Sequence, residues 1–176
     1  MDRALWEKAV AFHGHECPGL AIGVRVCEAV IREMDIRPSA DEQIVCVTEN
    51  DACGVDAVQA ILSCTLGKGN LIYRDRGKQA FSFFNRDNGQ KVRVYLKAVR
   101  PENMDRAAWQ AYLLKADTDD LFDLSEPKFD VPERARVFRT VVCDVCKEGA
   151  AERAMRLKDG KTVCGDCFAA YGRGWR

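Results

Sequence analysis

Apolar positions recur along this chain in two rhythms, and the changes between them lay out most of the expected fold. Residues 3–12 carry a short helical pattern that runs into His13-Gly14-His15-Glu16-Cys17-Pro18-Gly19. A stronger stripe follows, with Leu20, Val24, Cys27, Ile31 and Met34 spaced to fall on one helical face. Pro18 suits the first position of that helix, where no amide donor is missed, so Cys17 sits at or beside the N-cap. Residues 43–49 switch to strand character, rich in β-branched Ile44, Val45, Val47 and Thr48. The turn Asn50-Asp51-Ala52-Cys53-Gly54 then opens a second helix with Val55, Val58, Ile61 and Leu62 on its apolar side.

Three further strands, at 71–74, 79–85 and 91–99, are expected to pair antiparallel through Asp75-Arg76-Gly77 and Arg86-Asp87-Asn88-Gly89. A helix at about 104–116, with Trp109, Leu113 and Leu114, completes the pattern. Asp117, Asp119, Asp120, Asp123 and Glu126 then form an acidic stretch without a base, and Pro127 and Pro132 follow. The linker is expected around 125–139. The division is a core at 1–130, a connecting stretch at 131–139 and a small unit at 140–176. The order helix, strand, helix, strands, helix predicts an α+β core with one mixed sheet flanked by helices.

Composition narrows the class. The 176 residues are 47% hydrophobic and 31% charged, enough for a packed interior. No apolar run approaches the ~18 residues of a membrane helix, and the first residues do not read as an export signal, so a soluble, cytoplasmic protein with no membrane partner is expected. The nine cysteines are then ligands, nucleophiles or small hydrophobes rather than a disulfide scaffold. Lys plus Arg and Asp plus Glu both total 27, which alone argues against a wholly basic nucleic-acid binder.

Cys143-Asp-Val-Cys146 and Cys164-Gly-Asp-Cys167 lie seventeen residues apart, the spacing of a four-thiolate zinc site. Each two-residue gap forms a knuckle that turns both sulfurs to one ion at about 2.3 Å. Between them, Lys158-Asp159-Gly160 predicts a hairpin that swings the second knuckle back to the first. A segment this small folds on metal binding rather than on its own core. Zinc is the expected ion, and iron in a rubredoxin-type site is the alternative.

Both histidines of the chain lie beside Cys17. In an extended segment His13, His15 and Cys17 would share one face, and the following helix would aim its positive end at the Cys17 sulfur, favouring thiolate. Cys53 repeats the arrangement at the next helix. His15, Cys17 and Cys53 are therefore the expected ligands of a core metal or redox pocket, with His13 as a further candidate. Cys17 would serve as thiolate ligand or nucleophile, and His15 as ligand or acid–base group. Asp51, Asp56 and Lys68 are candidates for orienting ligands or holding an anionic substrate. Cys27 and Cys46 read as core, and Cys64 lies too far along its helix to join. The glycine-rich Thr65-Leu66-Gly67-Lys68-Gly69-Asn70 lacks the Walker pattern and precedes a strand, so Lys68 and Asn70 remain weak cofactor-binding candidates.

Three motifs resemble those of the FmdE family of formylmethanofuran dehydrogenase proteins: 13–19 (His-Gly-His-Glu-Cys-Pro-Gly), 49–57 (Glu-Asn-Asp-Ala-Cys-Gly-Val-Asp-Ala) and 64–70 (Cys-Thr-Leu-Gly-Lys-Gly-Asn). Gly77-Lys78 and Phe81 extend the likeness over most of residues 10–100. The resemblance implies a thioredoxin-like core, a homodimer, and a metal or redox pocket at the histidine–cysteine motif. It also implies an accessory place beside a molybdenum or tungsten enzyme, within a larger oxidoreductase complex. The chain itself carries no cysteine array for iron–sulfur clusters and no molybdopterin-binding pattern.

Charge supplies a competing expectation. Residues 134–176 hold ten Lys or Arg and five Asp or Glu, a formal +5, while the remaining 133 residues hold seventeen and twenty-two, a formal −5. In the alternative reading the basic finger contacts nucleic acid or an acidic partner protein, and the core only dimerises. Pairing of Arg134, Arg136 and Arg139 with the acidic stretch would cancel that surface.

Overall fold

The first helical stripe becomes α1 (Arg3–His13), whose N-cap Asp2 accepts hydrogen bonds from the backbone N–H groups of Ala4 and Leu5. It stops at Gly14, which adopts φ 90° and donates its N–H to Val10 O, a left-handed cap that glycine adopts without a Cβ penalty. The second stripe becomes α2 (Pro18–Met34), with Cys17 as N-cap: its Sγ accepts the Leu20 N–H at 3.3 Å. The computed structural model describes residues 1–170 and 172. It comprises two units, Met1–Ala135 and one that begins at Arg136.

The α+β class expected from the sequence is borne out by a five-stranded mixed sheet with helices packed on it. β1 (Ile44–Thr48), α3 (Gly54–Leu62) and β2 (Leu71–Tyr73) form a crossover, so β2 runs parallel to β1 with Cys46 opposite Leu71. β3 (Ala80–Asn85) and β4 (Lys91–Leu96) return antiparallel on the other side of β1. After α4 (Arg106–Lys115) and the one-turn α5 (Thr118–Leu121), β5 (Phe122–Ser125) pairs antiparallel with β4. The order is β2-β1-β3-β4-β5.

Two expectations need correction here. The segment at 71–74 is not antiparallel to the next strand. Its connection to β1 passes through a helix, which carries it to the opposite edge and a parallel pairing. The acidic stretch is not the start of a linker either. Leu121 and Phe122 are buried, and the carboxylates face outward, where Asp119, Asp123 and Glu126 meet Arg32, Lys97 and Lys91. Residues beyond it are also tied down: Arg86 Nη2 donates to Pro132 O at 2.7 Å, and Ala135 N–H to the Glu42 carboxylate at 3.2 Å.

Strand alternation divides the core. Ile44, Cys46, Phe81, Phe83, Val92 and Val94 join the helices in the main cluster. Val45, Val47 and Phe84 face the other way and pack with Ile72 and Phe129. Fully burying Phe81 and Phe83 contributes roughly 1.5–3 kcal/mol each. The expected core cysteines are core: Cys27, Cys46 and Cys64 are all buried, and burial pushes their thiols up, that of Cys64 to about 12.

Helices α2 and α3 cross on glycines. A Cβ placed on Gly23 would lie 2.3 Å from Gly54 O, and one on Gly19 would lie 3.1 Å from the Cys53 Cβ. This backbone-to-backbone approach draws the two helix N-termini together.

The second unit contains two hairpins, β6 (Thr140–Val142) with β7 (Gly149–Ala151), and β8 (Arg156–Lys158) with β9 (Lys161–Val163). Asp159 (φ 50°) and Gly160 (φ 75°) make the expected turn of the latter. The former went unforeseen, because its strands are only three residues long and the loop between them is the first knuckle. No helix among the described residues is long and apolar enough to cross a membrane.

Candidate metal centres

Three chain segments meet at the core cluster. His13 is the last residue of α1, Cys17 caps α2, and Cys53 immediately precedes α3. One ligand atom from each lies within 4.8 Å of the others. Cys17 is buried, while Cys53 and His13 are partly exposed. Cys17 Sγ is 3.8 Å from His13 Nε2. A thiolate and an imidazole on one tetrahedral zinc lie about 3.6 Å apart, so the spacing fits a shared ion with little adjustment.

Neighbouring groups hold these ligands in place. Asp56 Oδ2 is 2.7 Å from His13 Nδ1, and Gln59 Nε2 donates to Asp56 Oδ1 at 3.2 Å. With its proton on Nδ1 facing the carboxylate, His13 presents the Nε2 lone pair toward the sulfurs. Burial and the adjacent Cys17 both raise the Cys53 thiol above its ordinary value. Two close thiols resist ionising together, and a cation between them removes that resistance. Beside the cluster opens a cavity of about 400 Å3, lined by His13, Asn50, Asp51, Cys53, Asp56 and Tyr73 among others.

The structure gathers only part of the set expected from the sequence. His13, Cys17 and Cys53 come together, whereas His15 is exposed and lies outside the group. Its ring instead packs on that of His13, with centroids 4.4 Å apart. The expectation of an extended segment fails because the helix continues through His13 and turns at Gly14. Lys68 and Asn70 are directed to the fold rather than to a ligand. Lys68 Nζ donates to Ser39 O at 2.9 Å. Asn70 is fully buried, with Nδ2 donating to Ile44 O and Asp41 O and Oδ1 accepting the Thr65 N–H. Cys64 Sγ donates to Ile44 O at 3.5 Å, away from the cluster. Asn50 and Tyr73 were missed as cavity residues, since nothing in their spacing signals that the parallel β2 brings Tyr73 beside Thr48.

In the second unit, Cys143, Cys146, Cys164 and Cys167 place their sulfurs within 4.8 Å of one another. Cys146 and Cys164 are 3.8 Å apart, the separation of two thiolates at about 2.3 Å from one tetrahedral ion. The knuckles lock to the hairpin: Asp144 N–H donates to Thr162 O, and Thr162 N–H to Asp144 Oδ2. Amide donation from Cys164, with further donors at Cys146 and Val145, lowers the Cys143 thiol to about 6. Burial and the neighbouring sulfurs push Cys167 up to about 12. The first thiolate forms readily and the last forms only with a cation present. The donor set fits a metal ion.

Fold and sites together define an α+β protein with a histidine–cysteine cluster in its core and an appended four-cysteine unit. Residues 12–126, more than half of the chain, match the family described as FmdE, molybdenum formylmethanofuran dehydrogenase operon, and the chain belongs to that family. It is similar to the crystal structure of an FmdE-like protein of tungsten formylmethanofuran dehydrogenase from Syntrophus aciditrophicus. That likeness has 25% identity and a TM-score of 0.64, over 92% of this chain and 88% of the other. It is also 32% identical, over 95% of its length, to a protein of Archaeoglobus fulgidus named as a probable S-adenosyl-L-methionine-binding protein. The chain spans about half of that relative, 54% of its length.

Proposed function

We propose that this chain is a metal-binding accessory protein in which His13, Cys17 and Cys53 hold a transition ion, zinc in the first instance. The four-cysteine unit holds a second, structural zinc. The observation that carries this reading is the convergence of one imidazole and two thiols beside a cavity, with the imidazole fixed by Asp56. Three protein ligands are the number a catalytic zinc site uses, with the remaining position left for water or substrate. Such an ion supplies Lewis acidity toward whatever occupies the cavity. The residues do the rest: Asp56 keeps the Nδ1 proton of His13, the Leu20 N–H stabilises charge on Cys17, and Asp51 and Tyr73 bound the space. His15, stacked on His13, shields the imidazole from solvent rather than ligating.

Family membership supports a place beside a molybdenum or tungsten formylmethanofuran-dehydrogenase-type system or a related redox system, as a cytoplasmic homodimer that docks a larger oxidoreductase. The nucleic-acid alternative is weaker. In the finger, Arg139 is paired with Glu152 at 3.0 Å, and Arg153 lies over the Phe138 ring, which reduces the free basic surface.

Metal analysis of the full chain tests the core site. Wild type is expected to retain two ions per chain, and a Cys17→Ser/Cys53→Ser variant one. Equal stoichiometry in the two proteins would remove the core ion.

A further inference from the structure

On the face of the sheet away from the helices, a hollow of about 430 Å3 is lined by Arg74, Arg76, Lys78, Arg93 and Lys128 together with Phe129 and two glutamates. Strand alternation puts Arg93 and Ser125, opposite each other in register, on this face, and Arg74 and Glu49 extend it just past β2 and β1. Residues 1–135 contain eighteen Lys or Arg and twenty-two Asp or Glu, so the unit as a whole is acidic. Five of those eighteen cations nonetheless line one hollow.

Both glutamates are already committed. Glu49 is held bidentately by Arg93, at 2.6 and 3.0 Å, and Glu126 reaches Lys91 at 3.2 Å, outside the hollow. Arg76, Lys78 and Lys128 form no ion pair among the described residues, and Arg74 lies 4.0 Å over the Phe129 ring. The loop that carries three of these cations is fixed in advance. The N–H groups of Arg76 and Lys78 both donate to Glu49 O, Asn50 Nδ2 donates to Lys78 O, and Gly77 turns at φ 61°. The same face also contains Ser82, opposite Arg93 in register, whose fully buried hydroxyl has no partner among the described residues. Four uncompensated cations around one concavity repel one another, and a bound anion turns that repulsion into attraction.

We propose that this hollow is a binding site for the di- or triphosphate group of a small molecule, separate from the metal cluster on the opposite face. Its cations lie too far apart in the chain and too many to serve a single carboxylate. Its volume falls within the range of nucleotide-sized ligand pockets. Arg74 and Arg76 offer forked donors to phosphoryl oxygens, and Lys78 and Lys128 act as point charges. Arg93 stays with Glu49 and sets the floor.

The test is calorimetric titration of the full chain with inorganic pyrophosphate, ATP and citrate, at 50 and 200 mM salt. Saturable binding of pyrophosphate or ATP, weakening with salt, is expected, and binding of ATP alone assigns the rest of the hollow to the nucleoside. Arg74→Gln/Lys128→Gln should raise Kd at least tenfold, and Lys78→Gln, at an exposed side chain with no hydrogen bond to lose, severalfold. Cys17→Ser should leave Kd unchanged. The proposal is overturned by binding of neither phosphate probe, by citrate binding alone, by undiminished binding in the charge variants, or by loss in Cys17→Ser.

Discussion

Replacing Gly23 by alanine tests whether the glycine crossing of α2 and α3 builds the core metal cluster. The added Cβ would sit 2.3 Å from Gly54 O, 2.5 Å from Gly54 Cα and 2.7 Å from its carbonyl carbon. Carbon–oxygen contacts normally begin near ~3.3 Å, so the helices must separate by about 1 Å. The obstructing atoms are backbone, and no rotamer change relieves them. Overpacking of this kind costs about 1–3 kcal/mol, and the upper end applies. Alanine recovers roughly 1 kcal/mol of helix propensity, leaving a net loss near ~2 kcal/mol. Urea unfolding followed by far-ultraviolet circular dichroism reads that loss. Metal analysis on the same samples should show the core ion depleted, because Cys17 and Cys53 ride on the separated ends. Gly19→Ala is the companion variant: its Cβ meets only the Cys53 side chain, at 3.1 Å, so occupancy should fall more than stability. A Gly23→Ala protein with wild-type stability and full metal content would refute this account of the crossing.

Asp56→Asn is expected to weaken core metal binding about 10–100-fold, read by competition with a chromophoric chelator, because His13 loses its charged anchor. Asn70→Ala strands the carbonyls of Ile44 and Asp41 and the amide of Thr65, and should cost about 2–4 kcal/mol in urea unfolding. The Arg93 hydrogen bond, with Arg93, Lys78 and Arg76 nearby, holds Glu49 below the usual carboxylate range. Its stabilisation is therefore present above the unfolded value of about 4.3 and is lost as pH falls through the lower folded value. Stability measured from pH 7 down to 3 should decline less steeply in Glu49→Gln than in wild type, and parallel curves would contradict the coupling.

Legibility in the sequence followed the range of the interaction concerned. The α2 stripe, the Cys17 cap and the Asp159-Gly160 hairpin are local, and each lies where spacing predicts. The four-cysteine unit was readable because its geometry is written into two short gaps. Pairing direction was not, since the same β-branched pattern in 71–74 serves a parallel edge or a hairpin. The strand at 122–125 was hidden by composition. Its outward Asp123 read as linker, while the inward Phe122 and Leu124 that define the strand drew no notice. At the core site, one backbone angle decided between two histidines: the left-handed turn at Gly14 ends the helix just after His13 and leaves His15 outside. The basic hollow assembles cations from positions 74 to 128, a distance over which no sequence motif speaks.

The three thiols sealed in the main core make the chain its own clock. Cys27, Cys46 and Cys64 are inert to reagents while the sheet and helices stay closed, because burial suppresses their thiolates. Pulse alkylation followed by mass spectrometry would therefore date each opening of the core by the modification of these three positions. The remaining six cysteines, which sit at the two metal clusters, would record loss of metal instead. One labelling experiment thus separates breathing of the interior from release of an ion, without any engineered reporter.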